Sequence, residues 1–348
     1  MNRSAVLLFT FAMAASPVQA QTYHLTDLGT LPGDALSSAN AVNRPGEVAG
    51  STEKHAFRRT QDGIEDLGAL PGGKLSGATA INDKGAVVGA SQFRNGGAIF
   101  HATLYRKRKN SDLGVLPDFG NYSAATGINK EGRVVGYTAT SGQTTDTRAF
   151  IWDRADGMRD IGTLGGQYSR AQSINDIGMV TGSAQLGTGF GTFHAFVWDE
   201  AGGMRDLGTI GGDVSDGRAI NEKGHVTGSS TVDDFNRRHA FLYRNGRMRD
   251  LGALGEPGTQ SDFSYAYGVN DKDVVVGTTY TADGGAVHQV AFRWKDGTMS
   301  DLETQVDASG ADYRLVIATG VNNAGQITVN AVKVSTGESR AVLLTPAE

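Results

Sequence analysis

The sequence predicts an all-β chain folded as a seven-bladed β-propeller, with four antiparallel strands per blade. Three recurring anchors carry that expectation. D-L-G recurs at Asp27, Asp66, Asp112, Asp160, Asp206, Asp250 and Asp301. I-N-x-x-G recurs at Asn43, Asn82, Asn129, Asn175, Asn221, Asn270 and Asn322. A-F recurs at Phe57, Thr103, Phe150, Phe196, Phe241, Phe292 and Val342. The aspartates lie 39, 46, 48, 46, 44 and 51 residues apart. A period of about 45 residues with several short strand signals per unit is a propeller or array period.

The unit beginning at Ser215 shows why each element is expected. Residues 217–221 (G-R-A-I-N) alternate small and larger side chains as a strand does; this is strand a. Glu222-Lys223-Gly224 makes a tight turn, with glycine in the left-handed position. Residues 225–229 (H-V-T-G-S) form strand b, and 239–244 (H-A-F-L-Y-R) strand c. Asn245-Gly246 is a two-residue turn matched to strand twist, repeated as Asp296-Gly297. Residues 247–251 (R-M-R-D-L) form strand d.

The chain starts on a d strand (23–28) and ends on a c strand (340–344). The N-terminal strand is therefore expected to complete the last blade and remove an exposed edge. An open stack of seven units is the alternative, and it would leave two raw faces needing caps. Small residues stand two and four positions before each anchor asparagine, as crowded innermost strands require; Val or Ile stands one before it and is expected in the core. Two departures stand out. Asp273 replaces the turn glycine of the sixth unit, and Asp tolerates that backbone region. Glu303 replaces the D-L-G glycine of the seventh, followed by a long connection over 304–317.

Composition bounds the function classes. Glycine supplies 49 of 348 residues, which suits many tight turns. Charged residues make up 20%, with no basic patch and no long like-charge run, so neither nucleic-acid binding nor a disordered tail is expected. The net charge of −5 selects no partner. There are no cysteines, which excludes disulfides and thiolate metal sites.

Residues 1–20 read as a secretory signal peptide. Arg3 gives a positive start, 5–15 is an apolar stretch too short to span a bilayer, and Val18 and Ala20 occupy the −3 and −1 positions of a cleavage site before Gln21. No later segment is apolar enough to cross a membrane. Residues 21–348 are expected to be one domain, monomeric, soluble, and secreted or periplasmic.

The H-A-F triplets at His55, His194 and His239, together with D-L-G-x-L-G/P-G and I-N-x-x-G-x-V-x-G, resemble the HAF family of extracellular bacterial repeat proteins. The resemblance runs from Tyr23 to about Leu344. It implies export and a repeat architecture, and it brings no catalytic residues. Some members carry a C-terminal sorting anchor; this chain ends at Glu348 without one, so a released product is expected.

The a–b and c–d turns share one rim of such a propeller, and they are short and uniform. The b–c and d–a connections share the other and are long and varied, as at 92–101, 140–148, 184–194, 231–238 and 279–289. Function is expected on the varied rim. It carries Phe93, Phe119, Tyr122, Tyr168, Phe190, Phe193, Phe235, Phe263, Tyr265, Tyr280 and Tyr313. Aromatics among small polar residues suit a sugar or protein partner, although such rings also simply plug loops onto blades. Within this set Tyr122, Tyr168, Phe190, Phe235 and Tyr280 are the ligand-binding candidates.

The axis is a second candidate. Three positions before the anchor stand Asn40, Thr79, Thr126, Gln172, Arg218, Tyr267 and Thr319, unequal in type, with Arg170, Asp216 and Tyr265 nearby. Asn40, Arg170, Gln172, Asp216, Arg218, Tyr265 and Tyr267 form a polar ring suited to a ligand or to a water-filled mouth.

The repeated Asp, Asn and H-A-F histidines read as structure, since an active site needs to occur once. His24, His225 and His288 lie outside the pattern, and none has a carboxylate at a pairing spacing. There is no G-x-S-x-G, H-E-x-x-H or phosphate loop, and the glycine run at 186–191 lies between strands rather than between a strand and a helix. Calcium at Asp233-Asp234 or near Asp118 is outweighed by surface solvation. No cofactor or metal is expected. The preferred reading is an exported module binding a carbohydrate, a surface polymer or a protein. The alternatives are a hydrolase or lyase at the axial mouth, using Arg218, Asp216, Arg170 and Tyr267, and a purely structural repeat.

Overall fold

Seven four-stranded antiparallel sheets stand around a central axis in the computed structural model. It describes residues 21–347 except 95–96, 98, 107–108, 118, 141–146, 188–190 and 234–235. The signal-peptide reading of 1–20, the candidates Phe190 and Phe235, and the calcium positions Asp118 and Asp234 lie outside the described residues. Blades 1 to 6 span residues 37–68, 76–112, 122–160, 165–206, 215–250 and 264–301. Blade 7 joins strands Tyr313–Val321, Ile327–Lys333 and Ser339–Pro346 to the N-terminal strand Tyr23–Asp27. That strand lies antiparallel to the last one, with Leu25 opposite Leu344 and Asp27 opposite Val342. The seven-bladed ring closed by both chain ends is therefore as the repeat predicted.

The anchor asparagines tie blade to blade. Each Nδ2 donates to the backbone carbonyl of the next blade's anchor, Asn43 to Asn82 at 3.0 Å and Asn82 to Asn129 at 2.9 Å. The series continues through Asn175, Asn221, Asn270 and Asn322 and closes from Asn322 to Asn43 at 3.0 Å. Each Oδ1 accepts the N–H four residues on, inside its own a–b turn. All seven side chains are buried.

Every strand a carries a β-bulge three residues before its anchor, as between Ala171 and Ser173. The bulge drives the backbone toward strand b and explains the V-x-G glycine. A Cβ at Gly182 would lie 2.0 Å from the Arg170 carbonyl oxygen, and one at Gly136 2.0 Å from that of Ala124. Blade 7 has Val329 there, and its register differs by a further shift between Leu315 and Ile317. The A-F phenylalanines fill the space beside these glycines and are fully buried at 57, 150, 196, 241 and 292. Glycines two before the anchor touch the next blade: a Cβ at Gly268 would lie 3.0 Å from the Gly320 Cα.

The turns behave as their residues require. Asn245 and Gly246 have φ of 52° and 73°, Asp296 and Gly297 50° and 98°, and Asp273 57°. Two expectations are corrected. The variable loop expected over 279–289 is largely paired, because Val275–Asp283 and Ala286–Lys295 extend past the blade as one hairpin. The connection expected over 304–317 contains two 3-10 turns, Glu303–Gln305 and Ala308–Gly310, and strand a resumes at Tyr313. This segment packs on the closing strand: Asp307 N–H donates to the Tyr23 carbonyl at 2.9 Å. Among the described residues no helix is long and apolar enough to cross a membrane.

Replacing Gly182 with alanine is expected to cost about 1–3 kcal/mol or more, read as a lowered urea midpoint. An unchanged midpoint would show that the bulged strand yields to a methyl group.

Candidate functional site

The b–c and d–a connections meet on one face, where strand c begins and strand d ends. On it the D-L-G aspartates do two things in most blades. One oxygen accepts the N–H two residues on, at 2.7–2.9 Å in all seven. The carboxylate also meets the basic side chain that begins the H-A-F triplet in six blades. His55 meets Asp66, His101 Asp112, His194 Asp206 and His239 Asp250, at 2.9–3.0 Å. Arg148 meets Asp160 at 2.7 Å and Arg340 meets Asp27 at 3.8 Å. Blade 6 has Val290 at that place, so Asp301 has no such cation, and burial pushes its carboxyl up against the pull of the Glu303 N–H.

His239 is unlike the other three. Its Nε2 also contacts Asp262 at 2.9 Å, and Asp262 pairs with Arg237 at 2.8 Å. Burial opposes charge on this imidazole, but Asp250 and Asp262 outweigh it and the pKa is raised. Burial likewise opposes charge on both carboxylates, which their partners hold below the usual range. The network anchors the long connection before blade 6.

Two histidines set aside by sequence spacing do find carboxylates. His225 Nδ1 lies 2.8 Å from Asp273 in the next blade, and His24 Nδ1 lies 3.2 Å from Asp307 across the ring closure. Spacing along one unit could not reveal either, since each pair spans two blades or both chain ends.

The axial candidates divide into two groups. The seven residues three before the anchors all occupy the bulge position. Asn40, Thr79, Thr126 and Thr319 each donate to the carbonyl of the next blade, on Ala78, Ala125, Ala171 and Ala39, at 2.6–3.0 Å. Asn40, a candidate ligand residue, is thus held as a blade-to-blade bridge. Gln172, Arg218 and Tyr267, in three consecutive blades, make no such bridge among the described residues.

Two residues earlier on the same strands stand Arg170, Asp216 and Tyr265. Arg170 lies over the Tyr137 ring at 3.9 Å, and its Nε is buried without a hydrogen-bond partner. Asp216 pairs through Oδ2 with Arg218 at 2.6 Å, while its Oδ1 is buried and unpartnered. Such atoms cost about 1–3 kcal/mol each when left unpaired. Tyr122 stacks toward Tyr137 at 6.1 Å, and burial, with Tyr137 beside it, pushes its phenol up to about 12. Burial raises Tyr267 against the pull of Arg218, and it raises Tyr265 against that of Arg238; Tyr280 adds to both. Tyr280 also meets Phe263 edge-on at 6.5 Å. Large charged and aromatic groups therefore fill one arc of the mouth, across blades 3–6.

Three of the other aromatics make ring or hydrogen-bond contacts within the scaffold. Phe93 stacks on His101 at 4.1 Å, Phe119 lies under Arg148 at 5.3 Å, and Tyr313 donates to Asp27 at 2.9 Å. Phe193 and Tyr168 are half-buried in blade 4.

Two columns escaped the sequence reading. Ser37, Ser76, Ser123, Ser169, Ser215 and Ser264, six before each anchor, accept the H-A-F alanine N–H of the preceding blade at 2.8–3.1 Å. One residue earlier, Leu36, Leu75, Tyr122, Tyr168, Val214 and Phe263 set apolar groups around the mouth. Both were available as recurrences, had the comparison extended further before the anchor. A third feature had no signal. A cavity of about 180 Å³ opens at the opposite mouth, lined by the a–b turns with Arg44, Asp83, Lys130, Asp176, Glu222 and Asp271. Among the described residues no three His, Asp or Glu gather as metal ligands.

This geometry defines a seven-bladed propeller with one asymmetric axial mouth. No family model and no curated protein matches the chain. Among solved structures it resembles an oligogalacturonate lyase in complex with manganese, at 12% identity and a TM-score of 0.58 over 94% of this chain and 97% of that one. It also resembles the β-propeller domain of the Trilobed protease from Pyrococcus furiosus, at 11% and 0.53 over 90% and 96%, and a streptogramin B lyase, at 11% and 0.52 over 94% and 98%. At such identity the likeness is one of fold.

Two outcomes test the charge arrangement. The stability lost in His239→Gln, on the order of 1–3 kcal/mol, follows the titrations. A raised histidine pKa gives stability that is complete below the unfolded value of about 6.5 and fades as pH rises through the folded one. The lowered Asp250 and Asp262 give stability that fades as pH falls through their folded values. The difference from the parent should peak in mildly acidic solution, as read from melting at stepped pH. In Val290→His the Asp301 carboxyl should titrate lower than in the parent, as followed by NMR.

Proposed function

We propose that the chain is an exported propeller module of the HAF repeat type, which binds a carbohydrate, a surface polymer or a protein partner on its b–c/d–a face. The arc from Tyr122 and Arg170 to Tyr280 is the centre of that site. The observation carrying this reading is the break in the bridging column. Four blades use the bulge residue to bond the next blade, whereas Gln172, Arg218 and Tyr267 give that bond up side by side. A scaffold repeats what it needs, and local rules are broken where function requires it. The ring supplies rigid support, the tyrosines contact area at low entropy cost, and the unpaired atoms on Arg170 and Asp216 polar valence for a ligand. The signal-like character of residues 1–20 supports export.

The mature chain, immobilised and screened against glycans and envelope polymers, is expected to bind a ligand that Tyr267→Ala releases and Arg247→Ala, on the opposite rim, does not. Binding that is indifferent to Tyr267→Ala and to shortening of the 280–288 hairpin would place the site elsewhere.

A further inference from the structure

We infer that the ligand of this mouth is an acidic saccharide, its carboxylate held by Arg170 and a neighbouring hydroxyl by Asp216; the inference rests on the site proposed above. Arg170 is a cation with no carboxylate partner among the described residues. Its guanidinium carbon lies over the Tyr137 ring at 3.9 Å, and Nε is shielded from water without an acceptor. A planar fork held in this way is suited to a carboxylate, which takes two parallel hydrogen bonds from it.

Asp216 occupies the same register position one blade on, yet the two make no ion pair with each other. Its Oδ2 is engaged by Arg218 at 2.6 Å, and Oδ1 is left without a hydrogen-bond partner. The arc thus holds a guanidinium without a carboxylate partner and, one blade away, a carboxylate with one oxygen unpaired. A molecule satisfying both carries an anionic group and a hydroxyl on one rigid frame. Sulfate, which has no hydroxyl to donate, satisfies only the first.

Tyrosines complete the argument for a sugar ring. Tyr122 and Tyr137 stand beside Arg170, and Tyr267 stands beside Asp216 and Arg218, with Tyr265 next to it. Tyr122, Tyr265 and Tyr267, which are only partly buried, offer apolar faces with polar edges, which suit a pyranose bearing C–H on one side and hydroxyls around its rim. The opposite side of the mouth carries Ser38, Gly77 and Ile317 at the Arg170 position, so the charges are met from one side only.

Calorimetric titration of the mature chain decides the matter. The probes are carboxylated oligosaccharides built on galacturonate, mannuronate and glucuronate, their neutral methyl esters, sodium sulfate, and a short peptide with a free C-terminus. At least one carboxylated oligosaccharide should bind, with affinity falling as salt rises, and its ester should not. Arg170→Gln should weaken binding roughly ten- to hundredfold, the worth of charge-assisted hydrogen bonds, and Arg170→Lys should weaken it less. Asp216→Asn should weaken it without removing the salt dependence. The two near-isosteric variants, checked against the parent's melting transition, keep the test valid if Arg170→Gln does not fold. Equal binding of the ester, binding of sulfate or peptide alone, or no binding by any carboxylated probe would overturn the inference. A neutral glycan lost with Tyr267→Ala but not with Arg170→Gln would overturn it while leaving the binding face in place. Binding indifferent to both substitutions would remove the two together.

Discussion

The ring depends on one contact made seven times, the anchor asparagine amide against the carbonyl of its counterpart in the next blade. The same side chain accepts a backbone N–H within its own turn. One buried group therefore sets both the shape of the innermost turn and the distance between neighbouring sheets. An aspartate at the same place has no donor for the neighbouring carbonyl, and a longer amide would shift both partners. Since every buried polar group in the column is satisfied, the centre of the molecule can be polar without penalty.

Around that belt, each further column relieves a problem created by the one before. The bulge three residues ahead of the anchor presses strand a on strand b, and glycine at V-x-G answers it. Glycine leaves room, and the A-F phenylalanine fills it. Serine six before the anchor bonds the alanine of the previous blade, and the aspartate that ends strand d caps its own turn while facing a cation. Blade 7 alters both partners together, combining Val329 with Val342 in place of glycine and phenylalanine, whereas blade 2 keeps Gly89 opposite Thr103. Against such uniformity the departures at Gln172, Arg218 and Tyr267 are informative, because nothing in the packing asks for them.

The fold was largely legible, for a physical reason. Period, turn residues and alternation are local quantities, and sevenfold repetition averages away the accidents of any one unit. Closure by the N-terminal strand could be read from the order of partial units at the two ends. What stayed hidden depends on contacts between units. The bridging by Asn40 and the threonines joins separate blades, as does His225 with Asp273 across 48 residues. The extension of the blade 6 hairpin through Thr281 and His288 was concealed by loop-like composition. At the candidate site, residue types were visible in the sequence. The division between bonded and unbonded members of the axial column was not, because it rests on which carbonyl each side chain reaches.

The closing strand has a consequence for the order of assembly. Tyr23–Asp27 is at the start of the described chain, and its only sheet partner, Ser339–Pro346, is at the end. During synthesis the first of these segments has no sheet partner until more than 300 further residues have been added. Blades 1 to 6 are each contiguous in sequence and can form as they emerge, whereas the seventh joins segments more than 300 residues apart. The ring therefore closes only when both segments are present, and a chain cut short before Ser339 lacks the strand that Tyr23–Asp27 pairs with.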